Sequence, residues 1–558
     1  MKNCTTQLNV VIWAFLFLAS ASYAHARQPN IFLFFADDWG RDAACYANPK
    51  APSPSDVVKT PNIDRMAREG VRFNNAFYPC PQCTPSRGAL VTGCYFWRCG
   101  SSSILSGGDW RDSPNPFKEL PRFPHLLQGA GYVTAKAFKT LDFKPTLADH
   151  TTYGEVISLS AWDQFAPDPS AAREEYLRYS LYVGGAKSLE ERERRRQQVV
   201  AQTHVSVRRV LDACPVDQPF FFIFGPVNTH RPYRPGSGAA LWGINSDSLK
   251  GKLPPFLPDV PEVRTDYADY LGEVQALDLM VGIFREELER AGRLKDTVIA
   301  LTGDNGAPGF PHGKTQLYDF GSRAPLIVRW SGHIKPGRTV EDFVNLMDLA
   351  PTFLELAGVK PPAVMDGRSL MTQLCSEKNG RIDPARDAAI YGRSRHFIQA
   401  RPGNLPYSSR AIRTKEFLYI RNFNPDRWPF GNPFGLNSPP SISFQELADY
   451  EWLDRSPFRD MDPSLTKAWL VVHRHESAAR DFYEHAFDLR PAEELYDLRA
   501  DSLQMHNVAA SPRYAIQLHT LAERLMFVLQ KTHDPVLSGA FEEPPYVEKQ
   551  DRQSQRVK

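Results

Sequence analysis

The chain has almost no excess of either charge. Of its 558 residues, 66 are Lys or Arg and 64 are Asp or Glu, a formal net charge of +2. Nucleic-acid binding would call for a basic excess or stripe, so no nucleic-acid partner is expected. Long hydrophobic runs are also missing. The longest, Val10–Ala19 and Phe220–Val227, are too short to span a bilayer, which argues against stable membrane insertion. Internal repeats and low-complexity tracts are lacking, as is any His-rich set of the kind a two-metal phosphatase would need. After the first 26 residues no Asn-x-Ser/Thr acceptor occurs. A glycosylated animal secretory or lysosomal enzyme of this size would usually carry one, so bacterial export is expected.

The beginning of the chain has its own pattern. Lys2, the apolar run Val10–Ala19 and the small residues up to Ala24-His25-Ala26 have the layout of a secretory signal peptide, with cleavage after Ala26. Periplasmic or extracellular placement follows. Cys4 would leave with that segment, and seven cysteines would remain. An odd number in an exported protein suggests one thiol with another fate. Pairing of Cys94 with Cys99 is left open.

The length suggests two domains. Asn30–Ala36 (NIFLFFA) has no polar face, as in a strand covered on both sides; Tyr132–Phe138, Pro219–Phe224 and Thr297–Thr302 read alike. The spacing predicts a helix over Tyr267–Ala291, with Leu271, Val274, Leu277, Val281, Phe284 and Leu288 on one face. This alternation predicts an α/β fold with a largely parallel sheet over residues 27–385. Glu190–Arg196 reads as a solvated helix face. A smaller α+β domain is expected over 386–542, with a helix at Arg513–Leu529 and a polar tail over 543–558.

Three places carry chemistry. Asp37-Asp38 follows the first strand, and Gly303-Asp304-Asn305-Gly306 follows the Thr297–Thr302 strand. Ligands in open α/β sheets bind at carboxyl ends of strands. Adjacent carboxylates there repel unless a cation lies between them, though Asp also suits turns and helix caps. Carboxylate and amide oxygens without Cys/His pairs select a hard cation, calcium or magnesium. The third place is Cys80-Pro81-Gln82-Cys83-Thr84-Pro85-Ser86-Arg87, running on to Gly93. By spacing alone it could serve a structural zinc or a thiol–disulfide motif.

Cys83-Thr84-Pro85-Ser86-Arg87 also matches the Cys-x-Pro-x-Arg signature of sulfatases. With Asn30–Asp38, Thr60–Phe77, Gly303–Gly306 and Glu494–Leu498 in the same order, nearly the whole chain resembles the formylglycine-dependent sulfatases. Within them Asp304–Tyr318, His230-Arg231, Tyr419–Pro429 and Thr532–Pro535 are similar to the heparan N-sulfatase (sulfamidase) branch. The resemblance implies an alkaline-phosphatase-like, mostly parallel sheet sandwiched by helices, with a smaller C-terminal domain. It implies a sulfatase acting on a sulfated saccharide through Cys83 oxidised to formylglycine by a dedicated maturation enzyme. One divalent cation, calcium ahead of magnesium, would be held by Asp37, Asp38, Cys83, Asp304 and Asn305. A homodimer is compatible with it.

In the implied mechanism one hydroxyl of the hydrated aldehyde attacks sulfur and the second then expels sulfate. Arg87 contacts the diol, Lys139 supports it, Lys314 clamps a sulfate oxygen and His230 protonates the leaving group. Two positions depart from the family. Leu141 stands where a His is usual two residues after the lysine, leaving Asp142 or His150 as substitutes. Lys314 replaces the Arg of the sulfamidase branch and keeps charge without the fork geometry. His312 reads as a solvated loop residue. The competing functions are a phosphomonoester or phosphonate hydrolase of the same superfamily and a non-catalytic protein that binds sulfated glycans.

Overall fold

The computed structural model describes residues 28–103, 119–139, 157–158, 179–436 and 442–543. The expected signal segment, Leu141, Asp142, His150 and the tail from 544 lie outside the described residues.

Nine strands of the described residues form the main sheet: β1 (Asn30–Ala36), β2 (Val71–Phe77), β3 (Val133–Phe138), β4 (Ile157–Ser158), β5 (Phe220–Gly225), β6 (Thr297–Gly303), β7 (Arg323–Ala324), β8 (Leu326–Arg329) and β9 (Arg338–Asn345). Their order is β4-β3-β5-β1-β6-β8-β2-β7, with β9 beside β2. β4, β3, β5, β1 and β6 run parallel. Parallel neighbours need crossovers that cover both faces of the sheet, which explains strands with no polar side. Alternate residues of β1 go to opposite layers. Phe32 and Phe34 join the cluster containing Phe284, while Ile31, Leu33 and Phe35 join the one containing Phe353.

The helix Pro261–Arg290 covers the first face. Phe284 stacks on Phe32 with ring centroids 4.6 Å apart and meets Phe224 edge-on at 4.3 Å. Truncating such a residue to Ala costs about 3–5 kcal/mol. The helix begins six residues before the expected Tyr267, because Pro261 opens it at a position where Pro is favoured. Its first turns bury Arg264 and Asp266, which broke the apolar spacing. The other three apolar runs became β3, β5 and β6 with ends shifted by one residue. Glu190–Arg196 lies near the start of the helix Leu189–Ala213, with Glu190, Glu193, Arg194 and Arg196 exposed.

A second, antiparallel sheet follows: β10 (Ala388–Arg393), β11 (Ser409–Thr414), β12 (Phe417–Asn422) and β13 (Glu493–Asp497), in chain order. The helix Ala515–Lys531, two residues later than expected, packs Leu521, Leu525 and Leu529 in one cluster with Ile412 and Tyr419 of this sheet. The fold is thus α/β with a mainly parallel sheet between helices and a small antiparallel sheet in the C-terminal part. No described helix is long and apolar enough to cross a membrane.

Asp278 of the long helix caps another helix in trans. Its Oδ1 accepts hydrogen bonds from the backbone N–H groups of Asn62 (2.9 Å) and Ile63 (2.8 Å) in the first turn of Pro61–Glu69. Burial pushes its carboxyl up to about 7, against these hydrogen bonds, which favour the ionised form. An unfolded Asp titrates near 3.9. Between about pH 7 and about pH 4 the folded protein therefore holds a proton that the unfolded chain releases, and this residue's contribution to stability grows as pH falls. Asp278→Asn removes that slope. Urea unfolding at about pH 7 and about pH 5 should show the wild type gaining on the variant at the lower pH; a constant difference would mean Asp278 stays ionised in the fold.

Candidate functional site

The carboxyl ends of four neighbouring parallel strands place most of the candidate residues. β3 delivers Lys139, β5 leads to His230, β1 is followed by Asp37 and Asp38, and β6 by Asp304 and Asn305. The register pairs Ala36 with Gly303 and Phe138 with Gly225, so these ends are level. Two glycines allow the close approach. A Cβ on Gly225 would lie 1.8 Å from the Lys139 carbonyl oxygen, and one on Gly303 would lie 2.3 Å from that of Trp39. Asp38 (φ 60°) and Phe138 (φ 63°) take left-handed backbone, which is costly for a non-glycine residue. These turns aim the side chains that follow the strands.

Cys83 comes from another element. It is the first residue of the buried helix Cys83–Thr92, whose N-cap, Gln82, is extended. A backbone hydrogen bond from Thr315 to the Pro81 carbonyl (2.8 Å) ties this loop to the one carrying Lys314. The Cys83 sulfur lies 3.4 Å from Asn305 Oδ1 and 3.6 Å from Asp38 Oδ1, two acceptors that share its single hydrogen.

The carboxylates are held by three buried cations. Arg87 Nε donates to Asp304 Oδ2 (2.7 Å), its Nη2 to Asp37 Oδ1 (3.2 Å) and its Nη1 to the Lys139 carbonyl (3.0 Å). Lys139 Nζ donates to both oxygens of Asp37, at 2.7 and 2.9 Å. Lys314 Nζ donates to Asp38 Oδ2 at 2.9 Å. Asp37, Asp38, Asp304, Arg87, Lys139 and Lys314 are all at most 4% exposed. Burial opposes ionisation of Asp37, but Lys139, His230 and Arg87 outweigh it and hold its carboxyl well below the usual range. Burial dominates at Asp38, pushed up to about 7 against Lys314, with Asp37 and Asp304 adding repulsion. Asp304 is likewise raised by burial to about 6, against Arg87. Burial and the charge on Asp37 push the Cys83 thiol well up, so an unmodified Cys83 is protonated at neutral pH.

His230 is oriented by its own neighbour. The Arg231 carbonyl, which can only accept, lies 2.6 Å from His230 Nδ1, so Nδ1 carries the hydrogen. Nε2 faces Asp38 Oδ2 at 4.0 Å. Thr229, absent from the sequence-based candidates, donates to the Asp37 carbonyl and fixes the loop (2.5 Å).

Asp37, Asp38, Cys83 and Asp304 each offer one ligand atom, all within 4.8 Å of one another. Three buried carboxylates, two of them raised by burial with repulsion added, and the Asn305 amide oxygen alongside fit a hard divalent cation. The zinc and redox alternatives for Cys80 find no support in the geometry. Among the described residues this is the one group of three or more Cys, His, Asp or Glu that could hold a metal. All seven described cysteines, Cys94 and Cys99 included, are unpaired. The expectation for His312 fails: it is 1% exposed and stacked between Phe256 (4.4 Å) and Tyr318 (3.8 Å). One site region was not expected at all. The loop carrying Asp462 reaches Lys314 from beyond β12, with Asp462 Oδ2 3.8 Å from its ammonium.

Buried carboxylates, the cations between them and a histidine thus meet at the ends of parallel strands, an arrangement suited to hydrolysis of an anionic ester. The family model described as Sulfatase matches residues 29–359, and one described as N-sulphoglucosamine sulphohydrolase, C-terminal, matches 309–432. The chain belongs to the sulfatase family and is a sulfuric ester hydrolase or sulfamidase. Human N-sulphoglucosamine sulphohydrolase is 28% identical to it over 543 residues, 91% of each chain. A protein solved in complex with its substrate D-glucosamine-2-N,6-O-disulfate shares the fold, with TM-score 0.56 and 20% identity over 91% of this chain and 98% of its own. The phosphonate monoester hydrolase of Agrobacterium radiobacter shares it too, with TM-score 0.56 and 19% identity over 91% and 97%.

The metal reading predicts a stability linkage. Adding a divalent cation to chelator-stripped protein at a hundred times its Kd should stabilise the fold by about 2.7 kcal/mol, seen as a higher Tm. Asp38→Asn should shrink that increment. A Tm indifferent to divalent cations would remove the metal from the site.

Proposed function

We propose that this chain removes the N-linked sulfate of N-sulfoglucosamine, free or at a heparan-type chain end, using Cys83 converted to formylglycine. The observation that carries the reading is the convergence on Cys83 of carboxylates, amide oxygen and cations from separate strand ends. The unmodified thiol, held protonated by burial and Asp37, is a poor nucleophile, so the reading requires Cys83 to have been converted by a maturation enzyme. The hydrated aldehyde would supply two hydroxyls on one carbon, one to attack sulfur and one to expel sulfate afterwards. The bound cation, calcium ahead of magnesium, would neutralise sulfate oxygens.

The chain's own residues take the following roles. Asp37, Asp38, Asp304 and Asn305 would hold the cation together with residue 83. Arg87 bridges Asp37 and Asp304 and keeps their repulsion from spreading the site. Lys139 neutralises Asp37 from beside β5. Lys314 binds a sulfate oxygen. His230, with its hydrogen fixed on Nδ1, takes a proton at Nε2 and gives it to the departing nitrogen. Residues 1–26 would direct export to a bacterial periplasm or beyond.

Charge balance supports an anionic substrate. With every carboxylate ionised, as a bound cation would favour, Arg87, Lys139 and Lys314 cancel Asp37, Asp38 and Asp304, and Asp462 leaves one negative charge over. A divalent cation reverses the sign and readies the site for a sulfate. N-sulfate is chosen over O-sulfate on the N-sulphoglucosamine sulphohydrolase likeness through both parts of the chain.

Two measurements test this reading. In protein from a host that carries the maturation enzyme, the tryptic peptide Phe73–Arg87 should carry an aldehyde in place of the Cys83 thiol. That protein should release sulfate from N-sulfoglucosamine. Cys83→Ala should abolish the activity, and His230→Ala should lower kcat by about 100- to 10,000-fold. A retained thiol with no turnover would defeat the proposal, while preferential cleavage of phosphonate monoesters would favour a phosphonate hydrolase instead.

A further inference from the structure

The loop over residues 458–464 is anchored at nearly every polar group. Lys467 Nζ donates to the carbonyls of Phe458 (3.1 Å) and Met461 (2.8 Å). Asp460 accepts from the Phe397 N–H (2.9 Å) and pairs with Arg401 (2.9 Å). Ser464 donates to the Gly309 carbonyl (2.7 Å). Thr466 donates to Asp266 (2.6 Å), which also binds Arg231 (2.8 Å) beside His230. The loop is thus fastened to the segments that carry Lys314 and His230.

Asp462 is the exception. It is 1% exposed, yet among the described residues no donor makes a hydrogen bond to either of its oxygens; its nearest cation is Lys314 at 3.8 Å. His396, fully buried, is within electrostatic reach of Asp462 and Lys314; its Nδ1 lies 3.9 Å from Asp460, and among the described residues neither of its ring nitrogens has a hydrogen-bond partner. A buried carboxylate and imidazole left this way would each cost a desolvation penalty of about 1–3 kcal/mol or more, so a fold that keeps both implies donors and acceptors from elsewhere.

We propose that Asp462 and His396 form a subsite for the ring hydroxyls of the saccharide whose sulfate Lys314 binds. The inference rests on the reading of Lys314 under the proposed function and names the groups that would recognise the sugar. A carboxylate accepts from two donors side by side, the arrangement that vicinal hydroxyls of a pyranose present. Burial, then Lys314, push His396 down to about 3, so it is neutral and offers one donor and one acceptor, suited to a hydroxyl and not to a second sulfate. The negative charge of Asp462 also discourages an anion at that place. The subsite belongs to the C-terminal part of the chain, so the two parts would divide recognition: sulfate by the main sheet, sugar by the loops beyond it.

The test uses the full chain carrying Cys83→Ala, loaded with Ca2+, and titrates it calorimetrically with N-sulfoglucosamine and, separately, with inorganic sulfate. Asp462→Asn should weaken N-sulfoglucosamine at least ten-fold and leave sulfate no weaker, since a repulsive charge is removed. His396→Gln should weaken the sugar in the same sense and serves as the second variant if Asp462→Asn does not fold. Equal weakening of both ligands would show that Asp462 only positions Lys314 and would overturn the subsite. A parent protein that binds N-sulfoglucosamine no better than sulfate would overturn it too. If the binding pattern holds and the matured enzyme releases no sulfate, the proposed function fails and the subsite stands.

Discussion

Asp37, Asp38 and Asp304 are buried together, and like charges so close would drive the strand ends apart without Arg87, Lys139 and Lys314 between them. That interleaving of opposite charges is what the site depends on. It explains why Arg87, on a helix, touches two carboxylates from different strands, and why Lys139 spends both its chain carbonyl and its ammonium on the same cluster. Pairs this deep are weak evidence for stability, because desolvation takes back much of what their attraction supplies. Their value lies in position: each group has one place to go, and a cation or sulfate meets ligands already set.

The main sheet supplies the distances. Four level strand ends give a row of backbone exits, and apolar layers on both faces keep the row from shifting. Phe32, Phe34, Phe222 and Phe224 meet Phe284 on one side, and Phe221 meets Phe123 and Phe353 on the other. Gly225 and Gly303 let neighbouring chains pass where any side chain would collide. The C-terminal part is fastened across this platform by Ser464 and Thr466, while Lys467 ties its own loop together, so its loops reach the rim as fixed parts.

The strands were readable because a run such as NIFLFFA leaves no polar face to solvate, and the paired sites because Asp-Asp and Asp-Asn followed such runs directly. The start of the long helix was not, since its first turns bury two charged residues: Arg264 pairs with Asp259 just before the helix, and Asp266 with Arg231 and Thr466 from distant segments. His312 looked solvated in a Gly/Pro-rich stretch, but Phe256 and Tyr318 sandwich it. Asp462 and His396 gave no signal, because a lone Asp or His says nothing until an unfilled hydrogen-bonding capacity is seen around it.

By itself the sequence determined the layered α/β class, the sulfatase signature at Cys83 and the oxygen-rich chemistry after two strands. Each of these is written in contiguous residues, whose polarity and spacing act locally. Only the tertiary structure decided which cation answers which carboxylate, that Asp37 is held ionised while Asp38 and Asp304 are raised, and that Asp462 stands beside Lys314 with His396 in electrostatic reach of both. Those outcomes depend on distance and on exclusion of water between segments hundreds of residues apart, which no local pattern encodes.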